Sequence, residues 1–402
     1  MKSLQEPRFN ASKQIAQLKQ LRVAIVHYWF VGQGGGEKVV EAMTEMLPQA
    51  DIFTLVANPE KLPASLHRRT INTSFLQKIP LATRFHRHFL LLYPIALEQF
   101  DLSNYDLVIS SESGPAKGVI TSSKTCHVCY CHSPMRYLWD MHAEYRSGMN
   151  PIVRFVYDTA STWLRVWDLS SSFRVDYFVA NSQFVASRIR KIYRRDSHVI
   201  HPPVKTSAGV IQQERGDYYL CAGRLVDYKR VDLAVKACTE LGCPLRVVGA
   251  GPQLDSLRRL AGPTVSFLGS LSDAELRENY AHCKALLHPG EEDFGITPVE
   301  AQSFGRPVIA FGSGGALETV LGAWPGEEIQ AAHTGLFFKN QTVGDLEHEI
   351  LRFESSGSLF SADAIAAHAQ RFSVEKFKSE MHLYLANCYL EFQRNLGLQR
   401  SI

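Results

Sequence analysis

Apolar and polar positions along this chain fall into blocks: a short apolar run, a turn, then a stretch of helical period. RVAIVHYWF (22–30) predicts a strand buried on both faces, VGQGGG a turn, and GEKVVEAMTEML a helix stopped by Pro48. DIFTLV, YDLVISS, KGVITSS and CHVCYCH predict further strands, and DYFVAN and SHVIHPPV flank a helical SQFVASRIRKIYRR. Such a series builds one parallel sheet of βα units. His201-Pro202-Pro203 then stops the pattern, because consecutive prolines resist both helix and central strand. After the polar KTSAGVIQQERGD a second series begins, with YYLCAGRL, PLRVVGAG, TVSFLG, ALLHPG and PVIAF as strands. Helices such as VDLAVKACTELG and DAELRENYAHC separate them, and the closing SVEKFKSEMHLYLANCYLEFQRN is helical in period. The expected architecture is α/β, with two Rossmann-like doubly wound domains facing a central cleft. Residues 1–204 form the first, 205–385 the second, and 386–402 a helical tail that packs back on the first.

Composition narrows the class. The 402 residues are 45% hydrophobic and 21% charged, ordinary values for a folded globular protein. The longest apolar run, 89–97, falls short of the roughly 20 residues that span a bilayer. The polar N-terminus lacks the apolar core of a signal peptide, so a cytoplasmic location with unpaired cysteines is expected. Charge is uneven: residues 1–200 carry 24 Lys and Arg against 16 Asp and Glu, and residues 201–402 carry 19 against 24. The basic half is the better candidate to meet an anion. Within it, 61–97 contains Lys61, Arg68, Arg69, Lys78, Arg84 and Arg87 with no acid before Glu98. Phe75, Leu76, Ile79, Phe85 and residues 89–93 are interleaved, a mixture suited to an anionic membrane surface. The plain alternative is core packing with solvated charges.

The densest chemistry lies in HPGEEDFGITPVEAQSFGRP (288–307). Thr297 with Glu300 three residues on reads as a capping box, and Pro298 suits a first turn. Glu300 then either caps its own helix or joins the free N–H groups of Gly295, Ile296 and Thr297 toward an anionic ligand. In CAGRLVDYKRVDLAV, Arg224 stands at a strand end and Lys229 at a helix start, spaced to clamp a diphosphate or else merely solvated. Neither the Gly32–Gly36 loop nor VVGAGPQ matches the dinucleotide fingerprint. Cys126, Cys129, Cys131 and His132 invite zinc, but no second CxxC is present, and strand alternation splits the thiols between two faces. Buried thiols are favoured. No D-x-D occurs, so a metal-free diphosphate site neutralised by Arg and Lys is expected, with no metal and no cofactor.

Taken together, these residues resemble the family-4 retaining glycosyltransferases of the GT-B fold. The carriers are the two glutamates of Glu292-Asp293-Phe294-Gly295-Ile296-Thr297-Pro298-Val299-Glu300, the Gly223-Arg224-Leu225…Lys229 element, Gly249-Ala250-Gly251-Pro252, Val265-Ser266-Phe267-Leu268-Gly269 and Gly312-Ser313-Gly314-Gly315. HYWFVGQGGGEKVVEAM and YCHSPMRYLWD are similar to the GDP-mannose-dependent mannosyltransferases of surface-polysaccharide and O-antigen assembly. The resemblance implies an acceptor-side first domain and a donor-binding second domain. Arg224 and Lys229 would hold the donor diphosphate, Glu292 with Gly295, Ile296 and Thr297 the hexose, and Glu300 the ribose. Leu268 and Phe294 would complete the donor site, and Gly34 and Gly35 would approach the phosphate. His132 would lie beside the reacting centre, with Arg136, Tyr137 and Asp140 forming an acceptor-side wall. The reaction would retain configuration by front-face attack, with no protein nucleophile. The partners implied are GDP-mannose, a polyprenyl-diphosphate-linked glycan and, through 61–97, the inner face of an anionic membrane, without nucleic acid. Two rivals are a UDP-hexose donor and a Rossmann-type NAD-binding oxidoreductase; a third is a silent nucleotide-sugar-binding or scaffold protein.

Overall fold

The computed structural model describes residues 17–32, 34–206, 211 and 216–397. The polar N-terminal stretch, Gln33, most of the linker KTSAGVIQQERGD and residues 398–402 lie outside them. The chain divides into two units, residues 1–203 with 377–402 and residues 204–376.

The first unit is built on β1 (Val23–His27), β2 (Asp51–Thr54), β3 (Ile71–Thr73), β4 (Leu107–Glu112), β5 (Cys126–Cys131), β6 (Tyr177–Ala180) and β7 (Ser197–Val199). They form a parallel sheet in the order β3-β2-β1-β4-β5-β6-β7. Every residue of β1, β4 and β5 is buried. Strands covered on both faces read as continuous apolar runs, which is why these stand out in the sequence. The order reverses between β1 and β4, so their carboxyl ends mark a ligand-binding crevice of the doubly wound type. His27 pairs there with Ser111 in the β1–β4 register.

The second unit repeats the plan with β8 (Tyr219–Ala222), β9 (Leu245–Val248), β10 (Val265–Gly269), β11 (Leu286–His288), β12 (Val308–Phe311), β13 (Gly322–Ala323) and β14 (Gly335–Phe338). Its parallel sheet runs β10-β9-β8-β11-β12-β14-β13, reversing between β8 and β11. Tyr219, Val235, Val247, Leu287, Ile309 and Leu336 are central to its core.

Four expectations change. KGVITSS is no strand: Ala116–Gly118 forms a single tight turn, because Lys117 is drawn inward to Glu112 and Asp168. The short β3, β13 and β14 were not anticipated, nor was the 22-residue helix Pro151–Ser172. The break expected after 385 falls inside the continuous helix Val374–Asn395. Its buried Phe377, Met381 and Leu385 form one stripe, and from 377 onward it belongs to the first unit, where Phe377 meets Tyr130 edge-on at 5.8 Å. Finally, 61–97 is only partly surface. Leu76 and Tyr93 are buried, and Ile79, Phe89 and Leu90 pack against the core, while Phe75, Phe85, Leu91 and Leu92 are exposed.

Candidate active-site residues

In the second unit the chain leaves β8 through Gly223, whose φ of 139° lies in the region closed to ordinary side chains. A Cβ there would also sit 2.9 Å from Lys229 Nζ. Arg224 follows, exposed, and Lys229 closes the one-turn helix Asp227–Lys229. Lys229 Nζ lies 2.8 Å from Glu292 Oε1, with the two side chains only 14% and 19% exposed. Burial alone would lower the ammonium pKa, but the Glu292 carboxylate outweighs it and holds Lys229 above the usual lysine value. Two groups expected to serve different parts of a ligand thus form one ion pair.

Glu292 is held from behind, since Gly315 N–H donates to its carbonyl at 2.8 Å. Beyond it the helix Ile296–Ser303 begins at Gly295, which has φ 87° and offers no side-chain cap. This corrects the expected capping box. The helix starts ahead of Thr297, whose Oγ1 is buried without a hydrogen-bond partner, and Glu300 Oε2 instead accepts from Tyr280 Oη at 3.0 Å. Its first-turn N–H groups remain suited to an anion. Phe294 is turned into the core: its side chain is buried against Phe372, with centroids 5.5 Å apart. Leu268, on β10, is partly exposed.

Sequence reasoning missed His288. It ends β11, is buried, and places Nε2 3.8 Å from Glu292 Oε1 with no hydrogen-bond partner of its own. Burial pushes its pKa below the usual range, so the ring is neutral. The signal was available: a histidine closing an apolar strand at a sheet's carboxyl edge.

In the first unit, Gly34 precedes the helix Gly35–Met46, and its N–H already serves Glu37 Oε2 at 3.0 Å. A Cβ on Gly36 would lie 3.0 Å from Tyr28 Oη and 3.3 Å from His27 Cε1, so this turn rides directly on the strand-end rings. His132 follows β5, and its Nε2 is 2.9 Å from Ser111 Oγ, which is 3.2 Å from His27 Nδ1. Burial pushes His27 down to about 3 and His132 to about 4. Both rings are neutral at pH 7. Asp140 is held by Arg188, whose Nε lies 2.5 Å from Oδ2, and Tyr137 Oη donates to Met135 Sδ at 3.0 Å. Arg136 is half-buried in the same segment. Cys126, Cys129 and Cys131 are buried, their thiols pushed up by burial, and no metal-holding group of three His, Cys, Asp or Glu exists among the described residues.

Each unit is thus a doubly wound sheet with polar groups gathered at its order reversal, and in the second a partly exposed cation–carboxylate pair adjoins a helix N-terminus. Fixed cations and a helix N-terminus are of the kind that suits a phosphorylated ligand. Two family models match the chain. Glycosyltransferase Family 4 matches residues 33–208, and Glycosyl transferases group 1 matches residues 210–371. The chain belongs to this glycosyltransferase family, with the GT-B fold.

Among curated relatives, the alpha-1,3/1,6-mannosyltransferase ALG2 of Homo sapiens is 25% identical over 340 residues, covering 74% of this chain and 76% of that one. The GDP-mannose-dependent alpha-(1-6)-phosphatidylinositol monomannoside mannosyltransferase of Mycolicibacterium smegmatis is 32% identical over 145 residues, covering 32% of this chain and 37% of that one. The chain spans 55% of the length of a further ALG2, from Candida glabrata. The solved structure of Anabaena Alr3699/HepE in complex with UDP has a TM-score of 0.66 at 16% identity, covering 91% of this chain and 100% of that one. It supports the fold.

Proposed function

We propose that this chain transfers an α-mannosyl unit from GDP-mannose, with retention of configuration and without a metal, to a polyprenyl-diphosphate-linked oligosaccharide. The observation that carries this reading is the Lys229–Glu292 pair at 2.8 Å, set at the β8/β11 reversal ahead of the Gly295-led helix. Breaking the anomeric bond leaves negative charge on the nucleotide diphosphate. Lys229, Arg224 and the first-turn N–H groups stabilise that charge, and cations fixed in place need no reorganisation as it develops. Binding a donor would draw Lys229 toward phosphate and release Glu292 to accept from sugar hydroxyls. Glu300 would receive the ribose hydroxyls. The neutral His132, tied to Ser111, suits a hydrogen bond to the sugar rather than proton donation. Mannose is supported by the human and mycobacterial relatives, both mannosyltransferases, and GDP-mannose by the second of them.

The acceptor side would be peripheral to the inner face of an anionic membrane, with Lys78, Arg84 and Arg87 of 61–97 exposed toward it. A UDP-hexose donor is the second reading, favoured by the UDP bound in the HepE structure. A transfer assay with GDP-mannose and UDP-glucose, in chelator, tests both. Activity with GDP-mannose and retained α-configuration in the product supports the reading. Activity with the UDP sugar alone, or only after Mg²⁺ is restored, overturns it.

A further inference from the structure

A surface helix ordinarily turns its apolar stripe inward. The helix Pro151–Ser172 does the reverse. Its buried residues are Ser161, Leu164, Asp168, Ser171 and Ser172. Ile152, Phe155, Val156, Trp163 and Val166 are exposed, as is Phe173 just past its end. Ile152 is 79% exposed, Phe155 73% and Phe173 71%. At 3.6 residues per turn these six fall within a stripe roughly 100° wide, with the exposed Val153 to one side of it. Poor docking is not the cause. Asp168 meets Lys117 and accepts from Trp139 Nε1 at 2.7 Å, and Trp167 Nε1 donates to Glu98 Oε1 at 3.0 Å. The inner, polar face is anchored, and an apolar one is presented outward.

The chemistry at the end of the stripe identifies what covers it. An open cavity of about 560 Å³ there is lined by His142, Arg146 and Arg154, with Ala143 and Ser147. His142 Nδ1 and Arg154 Nε have no hydrogen-bond partner, while Arg146 Nε donates to Asp158 Oδ1 at 2.8 Å and Oδ2 at 3.0 Å, so two guanidinium groups stand against one carboxylate. Behind the helix, Leu164 shares a cluster with Leu90, so the basic segment 61–97 adjoins it. Cations beside an apolar stripe match anionic headgroups above acyl chains; a second copy of the chain would have to bring carboxylates instead. We propose that Pro151–Ser172 lies in the surface of an anionic bilayer, its stripe among the acyl chains and a lipid phosphate in the His142–Arg146–Arg154 cavity. No helix among the described residues is long and apolar enough to cross a membrane, so this contact is interfacial. The inference rests on the lipid-linked acceptor proposed above and adds a separate apolar anchor to its basic segment.

Flotation with vesicles of phosphatidylcholine, alone or mixed with phosphatidylglycerol, tests it on the full chain. Wild type should float with the mixed vesicles and stay partly bound in high salt. Phe155→Glu/Val166→Glu should lower the bound fraction on the order of tenfold or more, since each of these side chains is worth about a decade when buried. Phe155→Ser/Val166→Ser should do so less steeply, and Arg146→Gln/Arg154→Gln should remove the preference for phosphatidylglycerol. Leu359→Glu, at an apolar residue 53% exposed in the second unit, should change nothing. Equal flotation of wild type and the stripe variants overturns the proposal. So does a wild-type dimer that the stripe variants split while neither binds vesicles. Transfer to a short-chain, water-soluble acceptor should survive in the stripe variants. Its absence in wild type would sink the proposed function and leave the vesicle result standing.

Discussion

At the carboxyl edge of the second sheet a charged pair, Lys229 with Glu292 at 2.8 Å, stands beside the neutral His288. At the matching edge of the first sheet two imidazoles are neutral, His27 pushed to about 3 and His132 to about 4 with Ser111 between them, while the charged Glu112–Lys117 pair is wholly buried. The same topology thus carries two electrostatic designs. A fixed cation suits a permanent anion such as a diphosphate, whereas neutral imidazoles held by a hydroxyl suit hydrogen bonds to uncharged hydroxyls.

The largest effect should come from the charged edge. Lys229→Ala should lower kcat/KM by roughly 10²-fold or more, the scale for losing a preorganised contact to a developing anion. It also removes the cation facing the part-buried Glu292 carboxylate, so Lys229→Ala/Glu292→Gln should be more stable than Lys229→Ala alone and no more active. Steady-state kinetics with melting curves would show this, and an additive double variant would break the pairing.

Glycine substitutions sharpen the contrast. Gly223→Ala forces a side chain into φ 139° beside Lys229 and should cost several kcal/mol, about 1–2 of them from the backbone alone. Gly36 has no such conformation, and its nearest neighbour is a tyrosine hydroxyl at 3.0 Å. Gly36→Ala should therefore cost less, about 1–3 kcal/mol. Denaturant midpoints of the two variants give the ranking.

This difference also explains how far the sequence could be read. Strands buried on both faces, such as Val23–His27 and Leu107–Glu112, announce themselves as apolar runs. The two- and three-residue strands Gly322–Ala323 and Ile71–Thr73 are too short to carry any period. Lys117 hid because an ion pair, not hydropathy, buries it. In the second unit the placement of Lys229 and Glu292 near the Gly295 helix start was legible because a glycine-marked turn and a helix start fix where their neighbours stand. The His27–Ser111–His132 chain was not, because its members meet across strands in a register no local motif encodes, whereas His288, four residues before Glu292, was local and simply passed over. The helix Pro151–Ser172 carries a helical period, but nothing in that period says that its apolar face points outward.

The neutral edge has its own pH signature. Unfolded imidazoles bind protons below about 6.5, while folded His27 and His132 stay neutral down to about 3 and about 4. The unfolded state therefore takes up more protons as pH falls from 6.5, and stability declines on the acid side. His132→Gln should flatten that decline between pH 6.5 and 4, measured as Tm against pH. An unchanged slope would mean the ring is not neutral in the fold.

The smallest expected effect is at Thr297. Its buried Oγ1 has no hydrogen-bond partner, so Thr297→Val should leave stability within about 1 kcal/mol of wild type or slightly above it. Weaker nucleotide-sugar binding by this stable variant would show that the hydroxyl awaits a ligand; unchanged binding would make it packing only.

The central claim, that Lys229 and Glu292 form a metal-free nucleotide-diphosphate site, is tested most directly by thermal shift with GDP, UDP and ADP and their sugars in chelator. Ligand at 100 times its dissociation constant adds about 2.7 kcal/mol of stability. Wild type should show a clear rise in Tm with GDP and GDP-mannose that Lys229→Ala loses. No shift with any of the six, or one that appears only when a divalent metal is restored, would contradict it.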